Sequence, residues 1–320
     1  MLALASPASL KGVLTPAEAA AALASGMRRV DGVEVVELPV ADGGEGTIDV
    51  LHAALGGRWM AAAVRDAYGR PTSARWLLLP DGTAAVECAE AVGLARTPER
   101  DPLRATTHGL GELLLATLAM RPRALLVGVG GTATVDGGVG MRAVVASWLR
   151  GVPIRVACDV RNPLLGERGA ARVFGPQKGA DAAAVAELEA RLASLRELAP
   201  YAELPGAGAG GGLGAAFAAL GAELVDGAGV VLDAIGFDER ARGADLVVTG
   251  EGTVDTTTLE GKAPGAVIAR CGQLGVPCEL FGGVVRDGVH AHALSGDPSH
   301  AIEDLVQLGE ELALSSSILP

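Results

Sequence analysis

Four apolar runs of strand length each end in a turn that sets a carboxylate among or beside glycine and amide groups. Residues 33–40 lead into Asp42-Gly43-Gly44-Glu45-Gly46, and residues 124–128 into Gly130-Gly131-Thr132-Ala133-Thr134-Val135-Asp136-Gly137-Gly138. Residues 154–160 end on Cys158-Asp159-Val160 before Arg161-Asn162, and residues 245–250 lead into Glu251-Gly252-Thr253-Val254-Asp255. Strands that leave a sheet this way, with helical stretches between them, point to α/β architecture with mostly parallel sheets. In such folds ligands bind where loops leave the carboxyl ends of strands. The placement also explains the composition: glycine fills 46 of 320 positions, about twice the ordinary usage of roughly 7 %. No three-residue glycine period runs through the chain and 49 % of it is hydrophobic, which excludes collagen and a flexible linker.

The helical signals are local. Thr15-Pro16-Ala17-Glu18 is a capping box with proline at the first helical position, and it predicts a helix over 17–27. Leucine or valine at 185, 188, 192 and 195, with Glu187, Arg191 and Arg196 opposite, predicts an amphipathic surface helix over 182–198. Residues 110–120 and 213–225 read as more buried helices, and residues 76–79 as a further strand. A length of 320 residues corresponds to about two domains at roughly 150 residues each.

Charge and cysteine usage narrow the partners. The 26 basic and 38 acidic residues leave a net charge of −12, and the densest basic run is Arg28-Arg29. Nucleic acid and anionic membranes are therefore excluded as partners, while a small anionic metabolite held by local donors and a divalent cation is not. Cys88, Cys158, Cys271 and Cys278 show no CxxC spacing, which reads as structural thiols in a reducing cytoplasm. The amino-terminal stretch carries no basic residue before its short apolar run, so no signal peptide is expected. Histidines at 52, 108, 290, 292 and 300 have no metal-ligand spacing.

Generic nucleotide fingerprints do not decide the chemistry. Gly128-Val129-Gly130-Gly131-Thr132-Ala133 fits the loose dinucleotide pattern, but no acid stands near 148–152, where a ribose ligand belongs. Gly261-Lys262 is followed by Ala263 and preceded by Thr256, which breaks the Walker A pattern. A glycine cluster at 206–212 precedes a predicted helix whose amides can face phosphate.

Taken together, PVADGGEGT (39–47), GVGGTATVDGGVGM (128–141), CDVRNPLLG (158–166), FGPQKGA (174–180), GAGGGLGAA (208–216), DLVVTGEGTVD (245–255) and GKAP (261–264) closely resemble the type I glycerate kinases. The resemblance implies transfer of the γ-phosphoryl group of ATP to D-glycerate with Mg2+, giving 2-phosphoglycerate. It also implies two different α/β domains: a flavodoxin-like domain built from both chain ends, over 1–60 and 243–320, and a second inserted at 61–242. The active site is expected in the cleft, and the enzyme in the cytoplasm. On this reading the catalytic candidates are Asp159, as general base or metal-orienting acid, with Asp42, Asp136 and Lys178; Asp42 and Asp159 are the candidates for the metal. Gly43, Gly44, Gly130, Gly131, Thr132, Gly250, Glu251, Gly252 and Lys262 are expected to hold the nucleotide, and Lys11, Asn162 and Asp255 the acid substrate.

Four positions depart from the family pattern. Ala8 stands where aspartate is expected, Val135 where asparagine is usual, and Thr253 and Thr257 where a basic residue and glutamine are common. The segment after Met141 is also shortened, with residues 147–153 leading straight to the CDV strand. A homodimer is one arrangement that would cover an edge left bare. The alternative function is that of a degenerate paralogue, binding nucleotide or a small hydroxy acid without turnover.

Overall fold

The computed structural model describes residues 1–149, 151–286 and 288–317. Among these residues the strands, in chain order, are β1 (Leu2–Ala5), β2 (Glu34–Glu37), β3 (Arg58–Arg65), β4 (Pro71–Leu78), β5 (Thr83–Glu87), β6 (Ala124–Gly128), β7 (Ile154–Cys158), β8 (Glu223–Asp226), β9 (Leu246–Val254), β10 (Cys278–Val285) and β11 (His292–Ala293). They form two sheets in two compact units. One unit takes residues 1–42, 49–54 and the described part of 228–320; the other takes 43–48 and 55–227.

The unit built from both chain ends carries a five-stranded sheet in the order β11-β10-β9-β1-β2, with every neighbouring pair parallel. Counting only its own strands, the spatial order is 2-1-3-4-5, the flavodoxin-like arrangement, whose switch point lies between its first and third strands, here β1 and β9. Helix Pro16–Met27 starts where the capping box requires: the Thr15 hydroxyl accepts from the Glu18 amide at 3.2 Å, and a Glu18 oxygen accepts from the Thr15 amide at 2.8 Å. Its buried face, Leu23 and Met27 among others, packs with Val248, Phe281 and Leu305.

The inserted unit carries a six-stranded sheet in the order β3-β4-β5-β6-β7-β8. β3, β4 and β5 are antiparallel, and β5 through β8 are parallel. The central strands are continuous apolar runs because helices cover them; β6 reads Ala-Leu-Leu-Val-Gly and is buried from Leu125 onward. The core gathers Trp76, Leu110, Leu113, Val127, Val156 and Phe217. No helix among the described residues is long and apolar enough to cross a membrane.

Two expectations need correction. The predicted helix over 213–225 stops at Ala219, and residues 223–226 form β8. Gly221 at φ +88° turns the chain between them. The TGEG block is not a loop after a strand but lies inside β9, which continues to Val254 because β10 pairs with it through Val285. A partner strand decides the conformation there, against the turn preference of two glycines.

Candidate active site

In the inserted unit, glycine segments far apart in sequence meet at the carboxyl ends of β6 and β7. Gly43 has φ +90°, and a side chain there would begin 2.7 Å from the Ala157 Cβ at the end of β7. Its carbonyl accepts from the Gly130 amide at 3.4 Å. A Cβ on Gly130 would fall 2.7 Å from Gly44 Cα, and one on Gly131 would fall 2.9 Å from the Glu45 side chain. Gly211, at φ +74°, presses against the Thr134 carbonyl, and the Gly208 amide donates to the Asn162 carbonyl at 2.9 Å. Glycine lets these backbones cross at contact distance. The structure thus brings Gly43, Gly44, Gly130 and Gly131 together in one layer of loops, beside the buried Thr132.

The charged groups on these loops differ sharply. Asp136 is enclosed: Oδ2 accepts from the Thr107 amide (2.9 Å), the Thr107 hydroxyl (2.8 Å) and the Gly140 amide (3.3 Å), while Oδ1 accepts from the Gly138 amide (3.0 Å). Thr107 caps helix His108–Ala119 and Gly138 caps helix Val139–Val145, so this carboxylate ties two helix starts together. Asp159, directly after β7, is exposed. Asn162 has its side-chain amide on the Arg168 carbonyl at 2.7 Å, which leaves its oxygen for a ligand.

Lys178 is buried, at 4 % exposure. Its Nζ donates to the Thr134 carbonyl at 2.8 Å and reaches the Thr132 hydroxyl at 3.4 Å. Burial pushes its ammonium down to about 7, with Asp136 pulling the other way.

In the flavodoxin-like unit the candidates gather beside the switch point. Glu251 Oε1 accepts from the Thr258 hydroxyl at 2.6 Å and pairs with Lys262 Nζ at 3.3 Å. Asp255 caps the 3-10 helix Thr256–Glu260 by accepting from the Thr257 amide at 2.9 Å. The Thr257 hydroxyl, with Lys262 adding to it, holds that carboxyl below the usual range. Gly252 lies against the backbone of Leu10 and Lys11, where a Cβ would meet the Lys11 nitrogen at 3.2 Å. The Lys11 side chain is exposed and Asp42 is half-buried. Gly250 packs on Phe281, so its missing side chain serves the sheet.

Three groups escaped the sequence reading. The Ser6 hydroxyl, just past β1, and the Thr134 hydroxyl are buried and find no hydrogen-bond partner among the described residues. Glu87, at the end of β5, is buried and accepts from the Ile48 amide at 2.8 Å, next to the DGGEGT turn. Only its place at a strand end marked it, because its partner lies 39 positions away. No group of three or more His, Cys, Asp or Glu able to hold a metal occurs among the described residues.

Comparison with known proteins decides the family. The pattern of the glycerate kinase family matches residues 3–148 and 142–312, in two overlapping spans. The chain belongs to the glycerate kinase family. It is 37 % identical to glycerate 2-kinase of Escherichia coli K12, over 90 % of this chain and 87 % of that protein. Identity to the glycerate kinase of Bacillus subtilis 168 is 38 %, with the same coverage. A crystal structure of a candidate glycerate kinase 2 from Salmonella typhimurium LT2 superposes with a TM-score of 0.81 at 32 % identity, covering 99 % of this chain and 98 % of that one. The break in the family match falls at the segment the sequence marks as shortened. In this member of the glycerate kinase family that connection leads from helix Val139–Val145 to Ile154, the amino end of β7. The glycine loops sit at the opposite end of the same parallel strands.

Proposed function

We propose that this protein transfers the γ-phosphoryl group of ATP to the 2-hydroxyl of D-glycerate, giving 2-phosphoglycerate. The observation that carries this reading is the extent of the likeness, 37 to 38 % identity to two glycerate kinases over nine-tenths of the chain. The family match, over residues 3–148 and 142–312, takes in both units and every glycine-acid segment.

Phosphoryl transfer needs in-line positioning, neutralised phosphate charge and a group that orients the attacking hydroxyl. Asp159 is the assigned base: exposed after β7, its carboxylate takes the proton as the substrate oxygen bonds to the γ-phosphorus and the bond to ADP breaks. Asn162 offers its side-chain oxygen to the acid substrate, and Lys11 offers an exposed ammonium to a carboxylate. Lys262 and Glu251 are assigned to the nucleotide, together with the loops that carry Gly43, Gly44, Gly130 and Gly131. Asp255 and Asp136 already serve protein donors, and we assign them to holding the site's loops. When bound with the nucleotide, Mg2+ supplies charge neutralisation of the phosphates. It needs only one or two carboxylates beside phosphate and water oxygens, so either the half-buried Asp42 or the exposed Asp159 would suffice to hold it.

Two observations favour turnover over the reading of a binding-only paralogue. Val135, where the family has asparagine, is buried with Leu164, Leu188 and Leu198, so that departure belongs to packing. The shortened connection ends at the amino end of β7, remote from the loops on which the chemistry depends. Coupled detection of ADP with ATP, Mg2+ and D-glycerate tests the proposal, and phosphorus NMR of the product reads which hydroxyl is modified. Nucleotide binding with no ADP release across a panel of small hydroxy acids would sink it.

A further inference from the structure

We propose that Lys178 is a positioning residue of the phosphoryl-transfer site, fixing the backbone of residues 130–134 from inside the fold without touching a substrate. The purpose of that loop rests on the glycerate kinase reading; the way it is held rests on geometry. One margin of the loop is fastened by backbone bonds, Leu94 amide to Gly131 carbonyl at 2.7 Å and Ala133 amide to Val92 carbonyl at 2.8 Å. Elsewhere the Gly130 amide donates to the Gly43 carbonyl at 3.4 Å and Gly211 packs on the Thr134 carbonyl, and the side-chain contact there is the Lys178 ammonium, whose Nζ lies 2.8 Å from the Thr134 carbonyl and 3.4 Å from the Thr132 hydroxyl.

The support for that ammonium is itself rigid. Lys178 ends the 3-10 helix Pro176–Lys178, and Gly179, at φ +103°, follows it packed on the Arg100 backbone. The Arg100 guanidinium is turned onto the Thr97 and Glu99 carbonyls, so Asp136 is the charged neighbour that acts on Nζ. Stability alone does not call for a lysine here. Methionine has nearly the same length and would fill the space without the cost of taking an ammonium out of water. At 4 % exposure and bonded to the Thr134 carbonyl, Nζ does not meet a diffusing substrate. Its effect on chemistry therefore passes through the loop it holds, which carries Gly130 and Gly131.

The test is Lys178→Met, followed by denaturant midpoint, amide hydrogen exchange, and kcat with KM for ATP and for D-glycerate. The expected result is a midpoint at or above that of the wild type and exchange at residues 130–134 at least tenfold faster. Turnover should fall at least thirtyfold, with both KM values within threefold. Unchanged exchange in the loop overturns the proposal, as does turnover kept near the wild-type level. A tenfold rise in one KM with kcat retained also overturns it, by putting Nζ on the substrate. If Lys178→Met does not fold, Thr132→Val removes the 3.4 Å contact alone; faster loop exchange supports the role and unchanged exchange rejects it. A wild-type protein that releases no ADP sinks the kinase reading separately, because the exchange comparison still decides what Lys178 does.

Discussion

Asp136 and Asp159 follow neighbouring parallel strands, β6 and β7, and in sequence they look alike: a carboxylate in the segment that leaves an apolar run. In the fold they have opposite surroundings. Asp136 is ringed by backbone and hydroxyl donors that start two helices, whereas Asp159 is exposed at the strand end. The difference teaches that a strand-end carboxylate enclosed by donors at two helix starts serves the fold, while one exposed at the strand end can meet a ligand. Removing the first should break the fold and removing the second the chemistry.

The comparison is most exposed to failure at Asp159. Asp159→Ala is expected to lower kcat about a thousandfold, equivalent to about 4 kcal/mol of barrier, while the thermal midpoint stays within a few degrees. Near-wild-type turnover would remove Asp159 from the base role. Asp136→Ala should show the reverse pattern. Loss of its bonds to the Thr107, Gly138 and Gly140 donors should cost about 3 kcal/mol of stability by urea denaturation, since buried donors are left unpaired. Stability unchanged with activity abolished would place Asp136 beside Asp159 and collapse the distinction.

Lys178 sharpens the contrast through pH. Its folded pKa, about 7, lies below the unfolded value of about 10.4. Between these values the unfolded chain binds more protons than the native state, so this group makes stability rise with pH. Below pH 7 both states are protonated and the full burial penalty is present. Denaturant titrations of the wild type and Lys178→Met should therefore run parallel below pH 7. Above it the wild type should gain on the variant by up to about 1.4 kcal/mol per pH unit. Parallel behaviour across the whole range would mean that the ammonium is not desolvated.

The sequence was most legible where the signal is local. The Thr15 capping box and the apolar run of β6 appear at the expected residues, and the amphipathic helix starts at Ala182 as expected but stops at Ser194, four residues early. Elements decided by a distant partner were not legible. β3, with three consecutive alanines, shows little alternation and becomes a strand by pairing with β4. The TGEG block is extended because β10 lies beside it. The site follows the same rule. The Asp136 donors at Thr107 are 29 positions away, so its enclosure could not be read from the GGTATVDGG block. Lys178 sits in Gly-Pro-Gln-Lys-Gly, a stretch with the composition of a surface turn, yet it is buried against residues more than forty positions earlier. The glycine segments at 43–46 and 130–138 lie in the layer of loops at the carboxyl ends of β6 and β7. Their main visible use there is to let one backbone lie on another.

Glu251 stands between the two aspartates and gives the finest division. It is half-buried, engaged by the Thr258 hydroxyl and by Lys262, but not enclosed as Asp136 is. Glu251→Gln keeps an oxygen for Thr258 and removes the charge opposite Lys262. A partly exposed ion pair of this kind contributes about 0.5 kcal/mol or less, so the urea midpoint should scarcely move, and the small change should shrink further in high salt. If Glu251 and Lys262 hold the nucleotide together, KM for ATP should rise severalfold while KM for D-glycerate is unchanged. A loss of stability approaching that of Asp136→Ala, with KM for ATP intact, would instead make Glu251 a brace for the 3-10 helix that follows β9 and leave Lys262 alone to meet the phosphates.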